Sequence, residues 1–194
     1  PPLRIGLVAP IPTGTDVITD VAAEAAWYGS RVGDEIANLG EDRRDRPVEV
    51  LFASTPSADA AARAVHRLAV TFDVVAVVGG VGAGQAEAIS DAAEARGVLT
   101  FNVGDGRDAL RDASCRPLTF HVTPSNAMYA DGMALRYGDR DVFIVHPDDD
   151  PGRAVAERVA WAWGADRGRV VGSAGVRRGP MAYTDVFDAI SSSG

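Results

Sequence analysis

The chain has 194 residues, 46% apolar, 24% charged and 7% aromatic, which is the make-up of an ordinary globular sequence with enough apolar material for one sizeable core or two small ones. Its 19 basic residues are all arginine; against 27 carboxylates the formal net charge is -8, with no cationic run dense enough to capture nucleic acid. No stretch approaches the ~18 consecutive apolar residues of a membrane span, and the single cysteine, Cys115, excludes an internal disulfide framework and a cysteine-rich zinc site.

The start, Pro1-Pro2-Leu3-Arg4-Ile5-Gly6, runs directly into a strand pattern without the features of a signal peptide. That leaves a cytoplasmic protein, or an exported one whose leader has been removed. Leu3 to Ala9 (LRIGLVA) reads as a buried strand, and Thr15 to Leu39 as a long helix closed by Gly40. Pro47 to Ala53 is the next strand; Ser57 is placed to cap a helix to Phe72, whose apolar face is Ala61, Ala64, Val65, Leu68 and Ala69. A strand at Val74 to Val78, a helix at Gly84 to Arg96 stopped by Gly97, and strands at Val98 to Val103 and Leu118 to Val122 follow. Beyond Pro124 the pattern restarts, with a helix at Asn126 to Tyr137, a strand at Asp141 to His146 and a helix at Gly152 to Trp163. A strand at Arg169 to Ala174 and a helix at Tyr183 to Ile190 complete it. Strands apolar on both faces and separated by helices call for a parallel sheet covered on both sides, hence a doubly wound α/β architecture.

The C-terminal part is expected to be anomalous. A lobe holding only the strands at Asp141 and Arg169 cannot cover its own faces and edges. Either all seven strands share one sheet, or the chain is a fragment of something about twice as long. The second alternative is preferred.

In parallel α/β sheets ligands collect beyond the carboxyl ends of the strands, where loops lead into helix N-termini. Four loops qualify: Pro10 to Gly14, Gly79 to Gly84, Gly104 to Arg107 and Pro147 to Gly152. Gly79-Gly80-Val81-Gly82-Ala83-Gly84 looks like a phosphate cradle, but the dinucleotide fingerprint fails. Counted from Gly80 its third glycine would fall at Gln85, and a lysine-free chain has no Walker lysine. A tight turn that brings backbone close to another ligand is the better reading. No catalytic constellation is present: Gly172-Ser173-Ala174-Gly175 has the wrong spacing for a nucleophile elbow, and the three histidines form no metal-binding pair. His66 reads as a surface residue, His121 as a hydrogen-bonded core residue, and His146 as the one histidine at a strand end beside the expected cleft. Asp148-Asp149-Asp150 stands just before a helix, where carboxylates cap and complement the dipole more readily than they bind a hard cation. Trp161 and Trp163, two apart on a helix, cannot share a face, so one of them should be partly exposed or covered by a missing segment.

The series LRIGLVAP, EIANLG, PVEVLFAST and SADAAARAVHRL, then VVAVVGGVGAGQAEAISDAAEARGVLTFNVG, LTFHVTPSNAMYADGMA and DVFIVHPDDDPGRAVAERV, resembles type I periplasmic binding proteins, in particular the branched-chain amino-acid class serving ABC transporters. FNVGDGRDALRDASCRP followed by HVTPSNAM further resembles a subgroup associated with pyrroloquinoline-quinone-dependent alcohol oxidation. The resemblance implies two α/β lobes around a hinged cleft, with a first lobe over 1–122 and a hinge crossing plus partial second lobe over 123–194, a small-molecule ligand, an ABC transporter membrane component as partner, an extracytoplasmic location, and neither cofactor, metal nor catalysis. In amino-acid-binding members, hydroxyl side chains and backbone amides after the third and fourth strands hold the ligand. Here the matching positions are Ala83, Gly84, Gly104 and Gly106, without a hydroxyl, and the aromatic that often closes the second lobe would fall at Pro151. An uncharged, bulkier or unusual ligand is therefore expected in place of a standard amino acid.

The first-lobe contacts expected are Gly82, Ala83, Gly84, Gly104, Asp105, Gly106 and Arg107, and the second-lobe contacts His146 and Asp148. Two alternatives remain: a single-sheet Rossmann-like nucleotide-binding enzyme domain using the Gly79 to Gly84 loop, and a ligand-sensing receptor domain of the same bilobal fold. Sheet membership separates the first of these, because it requires the strand at Asp141 to join the sheet that contains the strand at Val74.

Overall fold

The computed structural model describes residues 1–10, 17–39, 46–164, 168–177 and 183–193. Of the expected Pro10 to Gly14 loop all but Pro10, and the expected helix stop at Gly40, lie outside the described residues. Two compact units are present, Pro1–Thr123 and Pro124–Gly194.

In the first unit, β1 (Leu3–Ala9), β2 (Val48–Ser54), β3 (Ala76–Gly79), β4 (Leu99–Asn102) and β5 (Thr119–His121) form one parallel sheet in the order β2-β1-β3-β4-β5. The helices α1 (Val17–Asn38), α2 (Ala58–Phe72) and α3 (Gln85–Glu94) alternate with these strands, and a single 3-10 turn at Asp108–Arg111 replaces a helix before β5. The strand order reverses between β1 and β3, the position at which ligands enter doubly wound sheets.

The pleat divides β1 between two layers. Val8 faces α2 and α3, where it joins Ala61, Ala64, Val65, Leu68, Val77, Ile89 and Ala93 in the buried core. A Cβ on Gly6 would approach Leu68 to 2.8 Å, so α2 rests almost directly on that strand. Leu3, Ile5 and Leu7 face α1 across an open cavity of about 480 Å³. Ser57 caps α2 as expected, its hydroxyl accepting from the Ala60 amide at 3.2 Å. Gly97 adopts a left-handed conformation (φ 67°) past the end of α3, which permits the Val98 amide to return to the Ala93 carbonyl.

In the second unit, β6 (Val142–Pro147) and β7 (Val170–Val176) pair in parallel, with α4 (Asn126–Tyr137), α5 (Asp150–Gly164) and α6 (Thr184–Ser191) around them. Among the described residues these strands form their own two-stranded sheet. That arrangement rules out the seven-stranded layer, and with it the geometric basis of the single-sheet enzyme alternative. The unit's core is small: Ala130 and Ala134 of α4 pack with Ala162 and Trp163 of α5. The indole N–H of Trp163 donates to the Arg140 carbonyl at 2.9 Å. Trp161, on the other side of the same helix, is exposed beneath the Arg158 guanidinium, 4.5 Å from the ring centre.

Candidate functional site

At the carboxyl edge of the five-stranded sheet the loops after β3 and β4 pack backbone against backbone. Gly104 lies so close to Gly80 and Val81 that an added Cβ would come within 2.7 Å of the Gly80 carbonyl oxygen and 2.8 Å of the Val81 Cα. Gly80 itself has φ 101°, and a Cβ there would run into the Asn102 carboxamide oxygen. Only glycine satisfies both the left-handed backbone and the close approach. The expected contacts Gly82, Ala83, Gly84, Gly104, Asp105, Gly106 and Arg107 thus come from two touching loops, with Gly82, Ala83, Gly84, Gly104 and Arg107 exposed. No side-chain hydrogen bond caps the N-terminus of α3, which begins directly after Gly84.

Asp105 and Arg107 are engaged with each other. The Arg107 backbone amide donates to Asp105 Oδ1 at 3.0 Å, and its Nε and Nη2 each reach Asp105 Oδ2 at 2.9 Å. This side-chain bond raises the guanidinium pKa above its ordinary value, with the Asp105 and Glu87 charges adding to the effect.

The residues that hold these loops in place were not among the expected contacts. Asn102, the last residue of β4, is buried, and every polar atom of its carboxamide is used. Its Oδ1 accepts from the amides of Gly104 at 3.2 Å and Asp105 at 3.0 Å; its Nδ2 donates to the Asp105 carbonyl at 2.7 Å and faces His121 Nδ1 at 3.0 Å. Strand register brings the two side chains together, because Asn102 and His121 are direct partners in the β4–β5 pairing. Gln85 plays the same part on the other flank. Its buried side chain donates to the Thr55 carbonyl at 2.7 Å and accepts from the Thr55 hydroxyl at 3.0 Å, tying the start of α3 to the end of β2. A sequence signal for Asn102 exists: an Asn two residues before a glycine, at a strand end, is an Asx-turn pattern. Gln85 carries no such signal beyond replacing a glycine in the failed fingerprint.

In the second unit, His146 is half-buried near the end of β6, with its Nδ1 2.8 Å from the Pro147 carbonyl. Asp148 is committed to two arginines, Arg153 at 3.0 Å and Arg177 at 3.2 Å. Asp149 caps α5, accepting from the Gly152 amide at 2.8 Å, which is the capping role expected of this acidic run. Pro151 is exposed in the first turn of α5. His66 is exposed on α2.

Among the described residues, no helix is long and apolar enough to cross a membrane and no cluster of candidate metal ligands occurs. Comparison with known structures finds the same architecture. A branched-chain amino-acid ABC transporter periplasmic ligand-binding protein from Burkholderia xenovorans superimposes with TM-score 0.83 at 17% identity, over 98% of this chain and 51% of that one. An ABC transporter substrate-binding protein from Sphaerobacter thermophilus gives 0.80 at 20% identity, over 100% and 52%. A solute-binding protein of an ABC transporter from R. palustris, in complex with benzoate, gives 0.69 at 20% identity, over 99% and 53%. The chain therefore spans about half the length of the solved structures it matches. No curated protein matches the sequence. A periplasmic binding protein family model matches residues 2–194, and with the doubly wound five-stranded unit and its separate β6–β7 sheet, the chain belongs to the periplasmic binding protein family and has the type I fold.

Proposed function

We propose that the protein is a non-catalytic, extracytoplasmic solute-binding component of an ABC transporter, which captures a small organic molecule at the carboxyl edge of the five-stranded sheet and presents it to a membrane component. The observation that carries this reading is the pair of interlocked glycine loops after β3 and β4. They offer exposed backbone and the uncapped N-terminus of α3, where amide donors favour an electron-rich ligand group. The boundaries proposed for the two lobes are 1–122 and 123–194, with His146 as the stronger second-lobe contact because Asp148 is already paired with two arginines. Ligand-dependent closure would work by shifting an open–closed equilibrium.

The loops also bear on ligand class. An α-amino acid needs an acceptor for its ammonium group, and the Asp105 carboxylate is occupied by Arg107 through both oxygens. With no hydroxyl at Ala83, Gly84, Gly104 or Gly106, the ligand is a small organic molecule without an α-ammonium group, either neutral or a simple carboxylate. The benzoate held by the R. palustris neighbour is one compound of this kind.

Thermal-shift measurements on the full-length protein, with leucine, valine, benzoate, primary alcohols and amides as the panel, test the reading. At a hundredfold excess over Kd a bound compound adds about 2.7 kcal/mol, which raises Tm by several degrees. A shift with an alcohol, amide or carboxylate and none with leucine or valine is expected. A dominant leucine or valine response overturns the ligand class, and turnover of a panel compound overturns the non-catalytic role.

A further inference from the structure

The hydrogen-bond pattern around Asn102 determines the state of a neighbouring histidine. Backbone amides can only donate, so the Gly104 and Asp105 amides require Asn102 to present Oδ1 to them. Its Nδ2 is then left facing the Asp105 carbonyl and His121 Nδ1, and that ring nitrogen must accept. The proton of neutral His121 accordingly sits on Nε2, where it donates to the Leu110 carbonyl at 3.1 Å. His121 is thus bonded on both sides, to the strand residue that shapes the Gly104–Arg107 loop and to the 3-10 turn that follows it.

Protonation would put a second N–H on Nδ1, opposite a carboxamide N–H. Two donors then face each other, and the contact is lost. Rotating the Asn102 carboxamide would restore an acceptor toward His121, but would turn its NH₂ group toward the Gly104 and Asp105 amides and away from its bond to the Asp105 carbonyl. Either outcome removes bonds that shape the loop.

We propose that His121 is a positioning residue for the Gly104–Arg107 loop, acting through Asn102, and that protonation of its ring releases that loop. The inference rests on the reading of the loop as a ligand contact.

The groups facing His121 from the neighbouring elements fit this role. Arg111, in the 3-10 turn, donates to the Thr123 carbonyl and places a positive charge near the ring, while Asp105 of the loop acts weakly in the opposite sense. Burial is the largest influence and the Arg111 charge the next; together they lower the imidazole pKa despite the bond to Leu110 and the Asp105 charge. Neutral His121 is therefore the form present near neutral pH, and release occurs below the ordinary imidazole range.

The test is NMR of the full-length protein labelled with 15N-glycine and 15N-histidine, titrated between about pH 8 and pH 4. The Gly104 amide resonance is expected to shift with the midpoint of the His121 ring nitrogens, below about 6.5. His121→Gln retains one acceptor and one donor at comparable spacing without a titrating group, so its Gly104 resonance should stay near the wild-type neutral-pH position throughout. His121→Phe should show the released position at every pH. A Gly104 resonance that ignores the His121 titration, a midpoint that persists in His121→Gln, or a ring that stays neutral down to about pH 4 overturns the proposal. No ligand enters this experiment, so its failure leaves the solute-binding reading intact, and an unresponsive ligand panel leaves the loop response standing.

Discussion

Asn102 shows how one buried side chain can organise a surface that consists mostly of backbone. Its carboxamide makes four contacts, two to loop amides, one to a loop carbonyl and one to His121. The loop it shapes then fits against Gly80 and Val81 with no room for a methyl group. Gly104→Ala is expected to lower unfolding free energy by about 1–3 kcal/mol through overpacking, measured by denaturant melts, and to weaken binding of any panel compound that stabilises the wild type. An unchanged melt and unchanged binding would mean that the close approach is not needed. The glycines and the Asp105–Arg107 segment were legible as a candidate site because strand ends in a parallel sheet are where ligands bind. Asn102 carried only a local turn signal, and Gln85 and Thr55 carried none: the Asn102–His121 and Gln85–Thr55 contacts join residues 19 and 30 apart that only folding brings within bonding distance.

At the level of elements, the first unit shows close agreement between sequence pattern and structure. The apolar spacing of α2, with Ala61, Ala64, Val65 and Leu68 on one face, becomes its buried side, and the serine placed before it becomes its cap. Ser57→Ala should therefore cost about 1 kcal/mol of stability, read from urea melts, while leaving the Gly104 and His121 resonances unmoved. A loss above ~2 kcal/mol would exceed what a cap contributes and point to a further contact of Ser57. Strand ends were less legible. The expected strand from Val98 to Val103 is ordered into the sheet only over Leu99–Asn102, with the Val103 amide making a last bond to the Gly79 carbonyl at the end of β3. In α5 the acidic run could have been a cation loop or a helix start. The bond from the Gly152 amide to Asp149 and the pairing of Asp148 with Arg153 and Arg177 assign it to the helix start and the arginines.

For the whole molecule, the two units differ in how much core each possesses. The first joins residues from three strands and two helices in a continuous buried cluster, whereas the second relies on three alanines and Trp163 beside a two-stranded sheet. A two-stranded sheet on so small a core falls short of independent stability. Residues 1–123 produced alone should melt cooperatively by circular dichroism, and residues 124–194 produced alone should show no cooperative transition; a sharp melt of the shorter piece would refute that account. The sequence by itself determined the order and type of the strands and α-helices, the parallel doubly wound class and the glycine loops, since these follow from local periodicity and turn chemistry along the chain; the 3-10 turn at Asp108–Arg111 was not among them. Only the tertiary structure decided that β6 and β7 form their own sheet, that Asp105 is spent on Arg107, and that Asn102 and His121 meet. Strand pairing and side-chain hydrogen bonds depend on register between segments far apart in the chain, and no local pattern encodes which donor will find which acceptor.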